Sequence, residues 1–491
     1  MGCEGLRERR PVHDWLQDLT VSFVPGPGTA MATHLGRELI EAFQSMGHGT
    51  LPEPDDETDV ILTTAPFGEP LNWRQALLFT ARRRFRLKAA PTIYTIVSVT
   101  AGEMERALSR LRSILAVSPP NPDDYDFPGL ADEAYQVLYE QGERGGPILA
   151  LERVIQSQAK CIDVLLVKGD DAPEEAHLFN LVGAYPRIGA DVPDAFYEEI
   201  VRRIVTAEST HEVTGHTFAG EPIPEKVWAS LATPRAMCVA GRQLGKRDFF
   251  TEMVRIADLV NVPAVAASVS SQYSEGCFST WDATLDGLVT TVTGSARPIY
   301  KGAITEEDLT VIAGLKPDGT GVLMRRVEGR RAAPPSSEAV EMVMMDDPLP
   351  SLTLGEAWGG SAQVPVVRSK LHGHRGCTQY DPRTVEYVPM AAPYHHYPVT
   401  CATEAQAQGI TDAFAHSRAL LHPDDPRSIV FTVLPGHGIV VVEKWATGKA
   451  PFQLIWEAID QGRLEITSRV PQGPIEYAEG NDGMCVVREA S

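Results

Sequence analysis

The chain has 491 residues, 43% of them apolar, and carries 65 acidic against 44 basic side chains for a formal net charge of −21. That length exceeds what one core usually supports, so two or three domains are expected, and the ordinary apolar content excludes wholesale disorder. An acidic field repels phosphodiester backbones and no apolar stretch reaches the ~20 residues that span a bilayer, so neither nucleic acid nor a membrane is an expected partner.

The seven cysteines, at 3, 161, 238, 277, 377, 401 and 485, are odd in number and form no Cys-x-x-Cys pair. This pattern argues for reduced thiols and against a thiolate zinc knuckle. The opening Met1-Gly2-Cys3-Glu4-Gly5-Leu6 runs at once into charge, without an apolar signal core, and the expected address is the cytoplasm.

In chain order, Leu19 to Val24 reads as a buried strand, broken by Pro25-Gly26-Pro27-Gly28-Thr29 before a helical pattern over 30–46. Strands follow at 60–65 and 92–99, with helices near 73–85 and 103–115. The basic run Arg82, Arg83, Arg84, Arg86 and Lys88 at the end of one of these helices reads as a solvated face. A loop at Ser118 to Asp124, a helical region over 131–159 and a β-rich run from Cys161 to Lys168 complete a first unit. A second unit is expected from a strand at 236–240, a helix at 249–260 and strands at 264–269 and 285–292.

Beyond the connector at 330–337 come a helix at 338–345, a helix at 402–421 and strands at 429–434 and 439–445. Strands alternating with helices predict an α/β chain of two consecutive Rossmann-like doubly wound units, 1–186 and 187–345. A mixed α+β C-terminal region with clustered histidines, 346–491, follows them.

Three places could carry chemistry. Gly26, Gly28 and Thr29 lie where such folds bend backbone amides around a phosphate, although Pro27 removes one amide and Met31 replaces a small residue. Glu275, Cys277 and Asp282 occupy a polar segment expected to be a loop between strands, with Arg297 and Lys301 nearby. A thiol, two carboxylates and two cations suit nucleophilic or acid/base work on an anion, and equally suit a buried cysteine and turn caps.

The third place is His372-Gly373-His374, whose i and i+2 imidazoles share one side of an extended chain and can grip a divalent ion. His437 between Gly436 and Gly438, Glu404 at a helix start and His396 are further candidate ligands.

These residues point first to a metal-dependent enzyme, using Mn, Zn, Co or Mg, that acts on a small polar or anionic substrate as an isomerase, lyase or hydrolase. A metal-free nucleotide- or sugar-dependent enzyme with a site in the interdomain cleft is the alternative, and a noncatalytic ligand-binding or assembly protein the third. Assembly into a homo-oligomer is compatible with each.

Overall fold

The computed structural model describes residues 18–55, 57–67, 92–104, 106–107, 164–179, 188–209, 216–250, 276–292, 300–317, 321–336, 338–346, 349, 351–354, 362–390, 404–416, 422, 425–434, 437–467, 475–480 and 483–489. The expected elements at 73–85, 131–159 and 264–269, the loop at 118–124, the basic run at 82–88 and most of the expected helices at 103–115 and 249–260 lie outside the described residues.

The N-terminal unit is built on β1 (Thr20–Val24), α1 (Ala30–Ser45), β2 (Gly49–Leu51), β3 (Val60–Thr64), β4 (Thr92–Val99), β5 (Val164–Lys168), β6 (Glu175–Phe179), β7 (Ile188–Gly189) and α2 (Pro193–Ser209). Its sheet runs β2-β1-β3-β4-β5-β6-β7. The first five strands are parallel, β6 pairs antiparallel with β5, and β7 pairs antiparallel with β6. Thr29 caps α1 by accepting from the backbone N–H of Ala32, and Leu35, Leu39 and Phe43 then recur at the spacing that keeps one helical face inward. That face joins Phe196, Ile200 and Ile204 of α2 over Val21, Leu62 and Tyr94 in one core. The core therefore runs past the expected border at 186.

The rest of the chain supplies β8 (Thr217–Phe218), α3 (Glu225–Ser230), α4 (Thr233–Gly245), β9 (Cys277–Asp282), β10 (Gly287–Thr291), β11 (Leu309–Leu315), β12 (Val322–Arg325), α5 (Ala339–Met344), β13 (Ser351–Thr353), β14 (Gln363–Pro365), β15 (Val367–Gly373), β16 (Gly376–Tyr380) and β17 (Val385–Tyr387). It continues through α6 (Glu404–His416), β18 (Ile429–Leu434), β19 (Gly438–Lys444), α7 (Gln453–Asp460), β20 (Leu464–Thr467), β21 (Ile475–Glu479) and β22 (Cys485–Glu489). Nine of these strands form one sheet in the order β17-β18-β19-β15-β9-β10-β11-β12-β8, while β13-β14 pair alone and β20-β16-β22-β21 form a small sheet.

Two expectations change here. The segment 236–240 belongs to α4, where Pro234 near the first turn and buried Met237, Cys238, Gly241 and Leu244 make a helical stripe. The strands β9 to β12 are successive antiparallel neighbours instead of a parallel doubly wound set. Four residues join β9 to β10, far fewer than a parallel crossover needs, so the two strands must form a hairpin. The nine-stranded sheet thus draws on both the 187–345 and the 346–491 stretches, and β15 and β9 lie side by side within it.

This sheet is buried on both faces. Phe278, Leu371, Phe431 and Val441 face one core with α4 and α7, and Cys277, Val440 and Val442 face another with α5 and α6. Among the described residues, no helix is long and apolar enough to cross a membrane.

Candidate metal centre

His372 is the sixth residue of β15 and is fully buried on the α5 face of the sheet. Its ladder partners are Val440 on one side and Cys277 on the other. Directly opposed residues of an antiparallel pair project to the same face, so the Cys277 thiol stands beside the imidazole.

The chain then turns, and two close backbone approaches fix the turn. A Cβ at Gly373 would lie 2.2 Å from the Phe249 ring, and one at Gly438 would lie 2.1 Å from the Gly373 carbonyl oxygen. Only glycine lets the start of β19 press on the end of β15 in this way. The β18–β19 tip, whose His437 N–H bonds the Leu434 carbonyl at 3.0 Å, is thereby carried against His374.

The three rings converge, with centroids 4.9 Å apart for His372 and His437, 4.7 Å for His374 and His437, and 5.4 Å for His372 and His374. His374 Nε2 and His437 Nε2 are 3.1 Å apart. The fourth group is Glu338, immediately before α5, whose Oε1 lies 3.2 Å from His372 Nε2 and 3.9 Å from His437 Nε2. One donor atom from each of the four residues falls within 4.8 Å of all the others.

Bonds of about 2.1 Å from one ion would set neighbouring donors roughly 3 to 3.4 Å apart, and opposed ones near 4.2 Å in an octahedron. The spacings of 3.1 and 3.2 Å fall in that range, and the wider ones, within 4.8 Å, need only a small inward shift, so the group could hold a metal ion. Glu338, His372 and His437 are buried, whereas His374 is half-buried and forms the solvent side of the cluster.

The surroundings polarise two carboxyls in opposite directions. Burial opposes the charge on Glu338, but His372, His374 and His437 outweigh it and hold this carboxyl well below the usual range. Glu341, one helical turn further along α5, is pushed well above it by burial and by the charge of Glu338. Burial, followed by Glu338 and Glu341, pushes the Cys277 thiol well up, which keeps it protonated and a donor to Glu338. A short helix holds this geometry because both its ends grip β15. Lys370, two residues before His372 and on the same face, is fully buried and bonds the Met342 carbonyl and the Asp346 carboxylate.

Of the ligands expected from sequence, His372, His374 and His437 meet. His396 lies outside the described residues, and Glu404 is the first residue of α6, with its side chain outside the described ones. Glu338 and Glu341 were missed, although two carboxylates three apart in an otherwise apolar helix, Glu-Ala-Val-Glu-Met-Val-Met, are the signal that could have found them.

Of the expected catalytic set, Glu275 and Arg297 lie outside the described residues. Cys277 opens β9 instead of sitting in a loop, and it reaches the cluster. Asp282 caps the β9–β10 turn, its Oδ1 accepting from the N–H of Thr284 at 2.9 Å and of Leu285 at 3.0 Å. Lys301 is buried in a short 3-10 turn beside α4, and its charge partly offsets the upward push on the Cys277 thiol.

In the N-terminal unit, Gly26 and Gly28 pack on β3. Their missing side chains make room for Thr64, whose hydroxyl donates to the Gly26 carbonyl at 2.8 Å, and Thr29 caps α1 and touches the Ser98 hydroxyl. Close packing on a neighbouring strand therefore accounts for both glycines.

No family model matches the chain, and no curated protein matches it in sequence.

Proposed function

We propose that this protein is a metal-dependent enzyme acting on a small polar or anionic substrate, with Glu338, His372, His374 and His437 as the ligands of one divalent ion. The observation that carries this reading is the convergence of three imidazoles and one ionised carboxylate, from three separate chain segments, at spacings that suit a single ion.

A nitrogen-rich set with one carboxylate favours Mn, Co or Zn over Mg, which prefers oxygen ligands and retained water. A bound ion would supply Lewis acidity or an activated water. The chain's own contribution is to fix the imidazoles on a rigid sheet, to neutralise part of the ion's charge through Glu338, and to leave the His374 side as the approach.

Two coarser readings accompany this one. The parallel order β2-β1-β3-β4-β5, with α1 between the first two strands, supports a Rossmann-like doubly wound first unit. The sheet shared by 187–345 and 346–491 supports a single body for the remainder.

The test is elemental analysis of untagged protein, together with thermal shift on adding Mn, Co, Zn or Mg. About one equivalent of metal is expected, with a rise in melting temperature that His372→Ala abolishes. Substoichiometric metal and no shift with any of the four ions would overturn the reading.

A further inference from the structure

The four-ligand cluster leaves two sealed polar atoms unaccounted for behind it. His372 presents Nε2 to Glu338 and the other rings, and its second nitrogen, Nδ1, points the opposite way. At 3.8 Å from Nδ1 lies Glu341 Oε1. Both residues are at most 1% exposed, and neither atom has a hydrogen-bond partner among the described residues. The far oxygen of the same carboxyl is held, because Gln406 Nε2, itself fully buried on α6, donates to Glu341 Oε2 at 3.2 Å.

We infer that Glu341 is a positioning residue, which accepts the Nδ1–H of His372 and so fixes the ring as the tautomer whose Nε2 lone pair faces the ion, with Gln406 holding the carboxyl in place. The inference rests on the metal reading above. An imidazole that ligates through Nε2 as a neutral donor must carry its proton on Nδ1, and a buried N–H with no acceptor is costly. Glu341 is the acceptor that the fold provides. A closure of less than 1 Å turns the 3.8 Å approach into a hydrogen bond.

Carboxyl–imidazole–metal chains of this kind fix ring orientation, and where the carboxyl is ionised they also strengthen the imidazole as a donor. This chain also has a structural consequence. It links β15 through α5 to α6, so a residue on α6 that hydrogen-bonds the Glu341 carboxyl takes part in metal affinity.

The experiment uses the full chain loaded with Co(II), with affinity measured by competition against a chelator and ligand geometry read from the visible absorption bands. Wild type, Glu341→Ala, Glu341→Gln and Gln406→Ala are compared, each with its metal-free melting temperature. Glu341→Ala is expected to lose about 10–100-fold in affinity and to shift the bands. Glu341→Gln retains a carbonyl oxygen for the Nδ1–H and restores most of both. Gln406→Ala falls between them.

Wild-type affinity and bands in Glu341→Ala would overturn the inference, whatever happens to its melting temperature, since a merely structural carboxyl would move stability alone. If Glu341→Ala does not fold, unchanged affinity and bands in Gln406→Ala overturn it instead. A wild type that binds no Co(II) overturns the metal reading, and this inference with it, whereas a wild type that binds beside variants that bind equally well overturns this inference alone.

Discussion

Gly438 stands so close to Gly373 that a Cβ on the first would lie 2.1 Å from the carbonyl oxygen of the second. Two backbones thus touch where the β18–β19 tip meets the end of β15, and the contact sets the separation of His437 from His374. Gly438→Ala is expected to push these segments apart and to destabilise the fold by about 1–3 kcal/mol. Chemical denaturation measures the loss, and metal titration of the folded variant should show weakened binding. Metal affinity equal to wild type would mean that the tip is not held by this contact.

His372 and His374 should separate in their effects. His372 is fully buried in the sheet and His374 half-buried at its edge, so His372→Ala creates a cavity beside Cys277 and lowers the stability of the metal-free protein by roughly 2–4 kcal/mol. His374→Ala should leave that stability within about 1 kcal/mol of wild type while still reducing the stabilisation gained from added metal. An ion at 100 times its dissociation constant stabilises by about 2.7 kcal/mol. Chelator should remove that increment from wild type, remove a smaller one from His374→Ala and leave His372→Ala unchanged.

Lys370 and Asp346 form a pair under α5, and removing one partner strands the other. Lys370→Met is expected to cost about 3–5 kcal/mol because a largely buried carboxylate loses its counter-charge. Lys370→Met combined with Asp346→Leu should regain most of that loss. Equal instability of the single and double variants in urea would show that the pair is not the source.

Glu443 offers a pH dependence well removed from the metal cluster. Burial pushes its carboxyl from 4.5 up to about 8, against Arg368 and the backbone amides of Ile455, Phe452 and Leu454 that favour its charge. Between those two values the folded protein keeps a proton that the unfolded chain has released. Stability therefore falls as pH rises through this window. Glu443→Gln keeps an acceptor for the Phe452 N–H, bonded at 3.1 Å, and removes the titration. The variant should match wild type at pH 4 and exceed it at pH 7 by up to about 3 kcal/mol. Parallel stability curves from pH 4 to 8 would contradict this.

The histidines were legible because imidazoles are rare and these sit beside glycines at element ends, where the strand period put His372 and His374 together. The reason for the glycines was not legible, since it lies in contacts between segments far apart in the chain. Glu338 and Glu341 stayed hidden because a short apolar run reads as a helix whichever face it buries, and only the sheet beneath shows that both carboxyls point inward. The antiparallel β9–β10 pair was within reach, as Asp286-Gly287 between β-rich runs is a hairpin signal. The strand expected at 236–240 failed for an ordinary reason: five apolar residues fit either period, and Pro234 with Leu244 decides for helix only when a longer window is read.

Glu338 and His437 lie about a hundred positions apart in the chain, and nothing local brings them together. They meet only after α5 has settled on β15 and the β18–β19 tip has closed over its end. An ion held between them would tie off several long loops at once, and closing such loops is the entropic cost that an unfolded chain cannot recover. Metal content would then report that this whole half of the molecule has assembled, and a preparation could be judged well folded by the ion it retains.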